Sequence, residues 1–236
     1  MNSNVTFSEL CEQTFAEISG HSRAVIVFFA LMVPVAALGE WAQPSNSAGF
    51  DIGFMIDDEL AAQGLSAVLA VVAAAIMSTV LTFYLYAAMV RRTHAPGFHR
   101  FWPWLGIYIL SWLGIALGFI ALIVPGLILL TRWSAVLPIV IEGRVPAMDA
   151  YGESWRAVRG NSLTVFAVGF VLLVGLLVIS GIIGALAIAS AGAMTIAVPL
   201  ISGMIDALGT IVFVAFSVAI YRLMAANTED VAQVFS

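Results

Sequence analysis

The chain has 236 residues, of which 62% are hydrophobic and 10% charged, and its mean hydropathy is +1.06. Soluble domains are nearer half apolar and about a quarter charged, so this composition excludes a water-soluble fold. The net charge of −5 gives no basis for a nucleic-acid partner, and Cys11, the single cysteine, excludes an intramolecular disulfide and a cysteine-rich metal site.

The apolar residues lie in continuous runs of roughly 20, the length a membrane-crossing helix needs. A β-barrel would show alternating segments of about 10 residues. The expected fold is all-α: a polytopic membrane helical bundle of about six transmembrane helices, with one or two interfacial amphipathic helices.

Residues 1–22 read as a cytoplasmic amphipathic segment. They hold Glu9, Glu12 and Glu17 and no Lys or Arg, which fits poorly with a signal peptide, so the first apolar run is expected to be an uncleaved anchor. Thr6 and Glu9 have the spacing of a capping box. Phe7, Leu10, Cys11, Phe15 and Ile18 follow at helical spacing, which predicts a helix over 5–19 with that face on the membrane or the bundle. Cys11 reads as a small packing residue rather than a lipidation site.

Residues 23–220 form the expected transmembrane domain, with spans at about 24–42, 60–90, 103–124, 127–141, 163–190 and 200–220. A cytoplasmic tail, 221–236, follows. The 43–59 loop carries Asp51, Asp57, Asp58 and Glu59 and no base. Asp57-Asp58-Glu59 suits either a weak external cation site or an anionic helix N-terminus. Between spans 2 and 3 runs a basic loop containing Arg91, Arg92, His94, His99 and Arg100. His94 and His99 lack a cysteine or paired carboxylate nearby and read as a solvated loop.

The stretch from Pro103 to Ile141 contains 39 residues, which as one helix would reach about 58 Å at ~1.5 Å per residue. That is about twice the hydrocarbon thickness. Pro125-Gly126 favours a turn, so a hairpin is expected there. With it, Arg23, Arg91, Arg92, Arg100, Arg144, Arg156, Arg159 and Arg222 all fall on one side of the membrane, and only Arg132 lies within a span. Arginines concentrate on the cytoplasmic face, so both termini are expected in the cytoplasm and the protein in the bacterial inner membrane. Residues 146–159 predict a second interfacial helix, with Pro146 in its first turn and Ala147, Ala150, Tyr151, Ser154, Trp155 and Val158 at helical spacing.

Two charges stand well inside predicted spans, Arg132 and Asp206. Each costs roughly 2.5–3.5 kcal/mol at a helix centre. Both enter from the external side at similar depth, which makes an intramembrane ion pair between spans 4 and 6 the expected arrangement. The alternatives are a polar cavity lined by the pair and snorkelling to the interface. Gly114 and Gly118 form a GxxxG pair, and Gly181, Ala185 and Ala189 form a small-residue stripe, both suited to close helix packing. No HExxH, GxSxG, CxxC or Walker lysine occurs, so no catalytic, metal or cofactor site is expected.

The stretch Val124-Pro125-Gly126-Leu127-Ile128-Leu129-Leu130-Thr131-Arg132-Trp133, followed by Pro138, Glu142-Gly143, Ala150, Ser154 and Arg159-Gly160-Asn161, resembles the YciC-like inner-membrane family. That family is similar to the membrane domain attached to some glycerophosphodiester phosphodiesterases. The motif is an apolar Pro-Gly hairpin, a basic residue in the next helix, a membrane-proximal Glu and an Ala-x-x-x-Ser helix ending near Gly. On this chain it falls on Pro125, Gly126, Arg132, Glu142, Gly143, Ala150, Ser154 and Gly160. The resemblance implies a polytopic bacterial inner-membrane protein connected with lipid or glycerophosphodiester handling. The catalytic domain is lacking here, so no hydrolytic activity is implied.

The expected function is a non-enzymatic role in membrane or lipid homeostasis, with membrane lipids and possible protein subunits as partners. The alternatives are a small-solute transporter or channel and an accessory subunit of a larger membrane complex.

Overall fold

The computed structural model describes residues 5–42, 64–92, 97–189 and 197–234. The acidic cluster Asp51, Asp57, Asp58 and Glu59 and the loop residue His94 lie outside the described residues, as do the first residues of the second expected span.

The chain forms α1 (Phe7–Gly20), α2 (Ser22–Ala42), α3 (Leu65–Arg91), a 3-10 turn (Phe98–Arg100), α4 (Phe101–Ala121), α5 (Ile123–Arg132), α6 (Val136–Glu142), α7 (Asp149–Ala157), α8 (Ser162–Ala189) and α9 (Ala197–Val234). No strand occurs among the described residues. Among the described residues, six stretches are long and apolar enough to cross a membrane: Ser22–Glu40, Leu65–Arg91, Phe98–Ala121, Ile123–Glu142, Ser162–Ala185 and Val198–Met224. Their exposed surface is rich in Leu, Ile, Val and Phe, as hydrocarbon rather than water requires. This is a multi-pass membrane protein with an all-α fold.

Contacts gather into two compact units. The first holds the residues up to Ala24, Leu85–Leu173 and the chain from Val212 onward; the second holds Val25–Tyr84 and Val174–Ile211. In the first, Leu10, Leu85, Met89, Trp104, Val136, Val140, Ile141, Val158 and Ile220 are fully buried. In the second, Phe28 and Phe83 are fully buried, and α2 meets α9 through Gly203, where a Cβ would stand 2.6 Å from the Val33 carbonyl and 3.2 Å from the Ala37 nitrogen. Only glycine permits that approach.

The hairpin of the first unit turns at a different place from the one expected. The helix breaks at Leu122, which is extended with φ −165 and ψ 148, and Pro125 and Gly126 already belong to the first turns of α5. Pro125 can sit there because first-turn N–H groups have no intrahelical acceptor. Gly126 serves packing instead of turning. A Cβ on Gly118 would lie 3.0 Å from the Gly126 Cα, and one on Gly126 would lie 2.5 Å from the Phe119 ring. Gly114 faces Trp133 in the same way, at 2.5 Å. The GxxxG pair thus closes α4 onto the hairpin. In the second unit, a Cβ on Gly181 would meet no atom within 4 Å.

Helix α1 has the expected capping box: Glu9 N–H donates to Thr6 Oγ1 at 3.3 Å and Thr6 N–H donates to Glu9 Oε2 at 2.8 Å. Its inward face, however, is Leu10, Thr14 and Glu17, whereas Phe7 and Phe15 are exposed. The apolar residues lie along an edge of α1 beside the buried face. Helix α7 starts at Asp149 and not at Pro146, which instead accepts the Asp149 N–H in a preceding turn at 3.0 Å.

Candidate functional site

Two polar arrangements stand out in the first unit. One belongs to the hairpin and explains most of the motif residues. The fourth apolar stretch is broken between Arg132 and Val136, because Val136 N–H bonds back to Trp133 at 3.1 Å and leaves the Arg132 carbonyl free. The next helical carbonyl in need is that of Ser134, whose normal donor would be residue 138, a proline without an N–H. Two serines fill these gaps. Ser154 Oγ donates to the Arg132 carbonyl at 2.7 Å, and Ser217 Oγ donates to the Ser134 carbonyl at 2.5 Å. Ala150 and Ser154 are fully buried, which brings α7 against the break. Trp133 packs on Tyr151 with ring centroids 4.7 Å apart, and the Tyr151 hydroxyl donates to the Ile107 carbonyl at 3.1 Å. Burial raises the Tyr151 phenol above its usual pKa, opposed by its hydrogen bond with Ser111.

The end of α6 is held by arginines. Gly143 caps it with φ 79, and Arg100 donates to the Gly143 carbonyl at 2.9 Å. Arg91 donates to the Ile141 carbonyl at 3.1 Å. Cations at a helix C-terminus offset the partial negative charge there. Glu142 pairs with Arg144 at 2.7 Å. Gly160, with φ 99, makes the turn between α7 and α8. The motif positions thus fall in the hairpin, at its break and in its turns.

Arg132 reaches Trp155: its guanidinium donates to the Trp155 carbonyl at 3.2 Å and lies 5.1 Å over the indole. That geometry is a cation–π contact. Asp206 belongs to the second unit. There, Glu40 on α2 has Ser202 as hydrogen-bond partner and Asp206 as charged neighbour. The two residues expected as an ion pair therefore fall in different units, each with its own neighbours.

The other arrangement is a cavity of about 430 Å³ lined by Gln13, Ala16, Glu17, Gly20, His21, Ala24, Arg92 and Arg222. Gln13 and Glu17 stand four residues apart on one face of α1, and His21, the residue that ends the helix, returns to the same side with its Nδ1 2.9 Å from the Glu17 carbonyl. Ala16, Gly20 and Ala24 have the same spacing and are small, which leaves the room. The Glu17 side chain is 2% exposed. Its Oε1 is satisfied twice, by Arg222 Nη1 at 2.9 Å and by Gln13 Nε2 at 2.9 Å. Its Oε2 accepts no hydrogen bond and has His21 Nδ1 3.5 Å away. Arg222 also donates to the Met89 carbonyl at 2.6 Å, tying α9 to the end of α3 as well as to α1. Arg92 follows α3 in the left-handed region, with φ 51, the only non-glycine there among the described residues. Glycine is the usual residue at such a helix end, and an L side chain there costs ~1–2 kcal/mol.

No protein-family model, curated protein or solved structure matches the chain.

Sequence reasoning took Arg222 as a marker of topology, read Arg92 as part of a basic loop that marks topology and could attract anionic lipid, and did not single out His21. The signal was the four-residue spacing of Gln13, Glu17 and His21 on a helix otherwise read for its apolar residues.

Proposed function

We propose that this is a bacterial inner-membrane protein with both termini in the cytoplasm, which binds membrane lipid without catalysis and serves membrane or lipid homeostasis. The resemblance to the YciC-like family and the one-sided distribution of arginines support the setting. The observation that carries the function is the pocket at the C-terminal end of α1: a half-open space lined by two arginines and one glutamate, in a protein whose exposed surface is rich in large apolar side chains. A cationic pocket in a membrane protein suits a molecule that has an anionic head and a hydrocarbon tail. Extraction of the native protein in mild detergent, followed by mass spectrometry, should find phospholipid retained in near-stoichiometric amount. A lipid-free, stable protein would refute the reading.

Small-solute transport is the second reading, favoured by Glu40, Ser202 and Asp206 gathered among apolar helices of the second unit. Intramembrane carboxylates commonly mark ion or proton paths. Solute flux into proteoliposomes that Asp206→Asn abolishes would establish it.

A further inference from the structure

We infer that the pocket formed by Gln13, Glu17, His21, Arg92 and Arg222 binds a hydroxyl-bearing phosphodiester monoanion, the chemistry of a polyol phospholipid headgroup. The inference rests on the lipid-binding reading above and names the headgroup class.

Charge decides the first half. Two arginines and one glutamate line the space, so even with His21 neutral the pocket holds one positive charge in excess. A monoanion balances it, whereas a zwitterionic headgroup leaves it unbalanced and brings its ammonium towards Arg222. Arg222 is fixed by Glu17 and the Met89 carbonyl, so its guanidinium is oriented before a ligand arrives. Planar guanidinium groups suit phosphate oxygens. Arg92 supplies the second cation from a backbone conformation that favours glycine. Local strain of this kind persists where the surroundings enforce it, often at ligand sites.

The second half rests on Glu17. One carboxylate oxygen accepts from Gln13 and Arg222, and the other is buried, accepts no hydrogen bond and has only the His21 Nδ1 nearby, at 3.5 Å. A buried acceptor left open calls for an N–H or O–H on whatever fills the space. With charge already balanced by the phosphodiester, a neutral hydroxyl is the fitting donor. A cavity of about 430 Å³ holds on the order of a dozen water-sized groups, enough for a glycerol phosphodiester.

The test uses the full-length protein in detergent micelles and short-chain lipids as probes: dioctanoyl phosphatidylglycerol, phosphatidylmethanol and phosphatidylethanolamine, with glycerophosphoglycerol and inorganic phosphate as soluble counterparts. Phosphatidylglycerol should bind about tenfold or more tightly than phosphatidylmethanol, which has the same charge and no hydroxyl. It should also exceed phosphatidylethanolamine. Arg92→Gly relieves the left-handed backbone, so it should fold at least as well as wild type and lose about tenfold or more in affinity. Glu17→Met, which removes both acceptor oxygens, should bring phosphatidylglycerol and phosphatidylmethanol to similar affinities. Equal binding of those two lipids by the wild type, phosphate binding as tight as phosphatidylglycerol, or unchanged binding by well-folded Arg92→Gly would each overturn the inference. Phospholipid retained by Arg92→Gly at the wild-type level and affinity would remove the site and leave the lipid-binding function standing. Glycerophosphoglycerol binding as tightly as phosphatidylglycerol would support the headgroup chemistry and overturn the lipid function instead.

Discussion

Ser217 Oγ donates to the carbonyl of Ser134 at 2.5 Å, the carbonyl that Pro138 deprives of its helical partner. The relationship is one of substitution: a side chain on α9 does what a backbone N–H would do in an unbroken helix. Tyr86 in turn has Ser217 as its hydrogen-bond partner, so the serine stands in a short chain of hydroxyls. Ser217→Ala should cost ~1–3 kcal/mol, the usual penalty for a buried polar group left unpaired. In a Pro138→Ala background, where residue 138 regains an N–H, the same change should cost less. Denaturant unfolding of the four variants of that double-mutant cycle measures the difference. Equal costs in both backgrounds would show that the serine and the proline are not linked.

Glycines in α4 and α5 should fall into two classes. Gly118→Leu and Gly126→Ala force atoms into a space already held by the Gly126 backbone and the Phe119 ring, and overpacking of this kind typically costs ~1–3 kcal/mol. Gly106, where a Cβ meets nothing within 4 Å, should accept alanine with no loss, or with a gain of up to ~1 kcal/mol from helix propensity. Thermal unfolding in detergent separates the two classes.

The Glu17–Arg222 pair should respond asymmetrically to truncation. Arg222 is 17% exposed and Glu17 only 2%, so a lone arginine can still reach water while a lone glutamate cannot. Removing one partner of a buried pair typically costs ~3–5 kcal/mol. Arg222→Met should lie at the upper end of that range and Glu17→Gln below it, as read from unfolding midpoints.

The capping box should be visible in titration. Thr6, through its backbone N–H first and its hydroxyl second, holds the Glu9 carboxyl below the usual carboxylate range. A folded-state pKa that is depressed means stability present above the ordinary carboxylate pKa of about 4.3 and lost as pH falls through the lowered value. Thr6→Ala removes the hydroxyl and keeps the backbone N–H, so it should raise the Glu9 midpoint only part of the way to the ordinary value, measured by carbon-13 chemical shift. A wild-type Glu9 midpoint at the ordinary value would mean the box is not formed in solution.

Much of the architecture was legible because hydrocarbon imposes a coarse rule. Long apolar runs must be helices, and the six stretches followed from that alone. The hairpin between Phe101 and Arg132 was legible from length, yet its corner was not. Pro125-Gly126 is a turn signal in water-facing chains, while here the proline starts a helix and the glycine is a contact surface. The apolar face of α1 was expected on the membrane or the bundle, and the burial of Thr14 and Glu17 was not foreseen for a related reason. Hydrophobicity predicts burial when the outside is water, and beside a membrane Phe7 and Phe15 can stay exposed while Thr14 and Glu17 turn inward. The pocket was hidden because it joins residues 17, 92 and 222, whose proximity no local spacing reveals. The roles of Ser154 and Ser217 were hidden likewise, since a serine partnered across 22 or 83 positions looks like any other.

The corner at Leu122 has a consequence for biogenesis. From Leu113 to Leu130 no side chain carries a hydrogen-bonding group, and the bend keeps two backbone bonds of its own, Leu122 N–H on Gly118 and Gly126 N–H on Leu122. No polar side chain has to be dragged across the lipid at that tip, so the two segments are suited to partition sideways together as one apolar wedge.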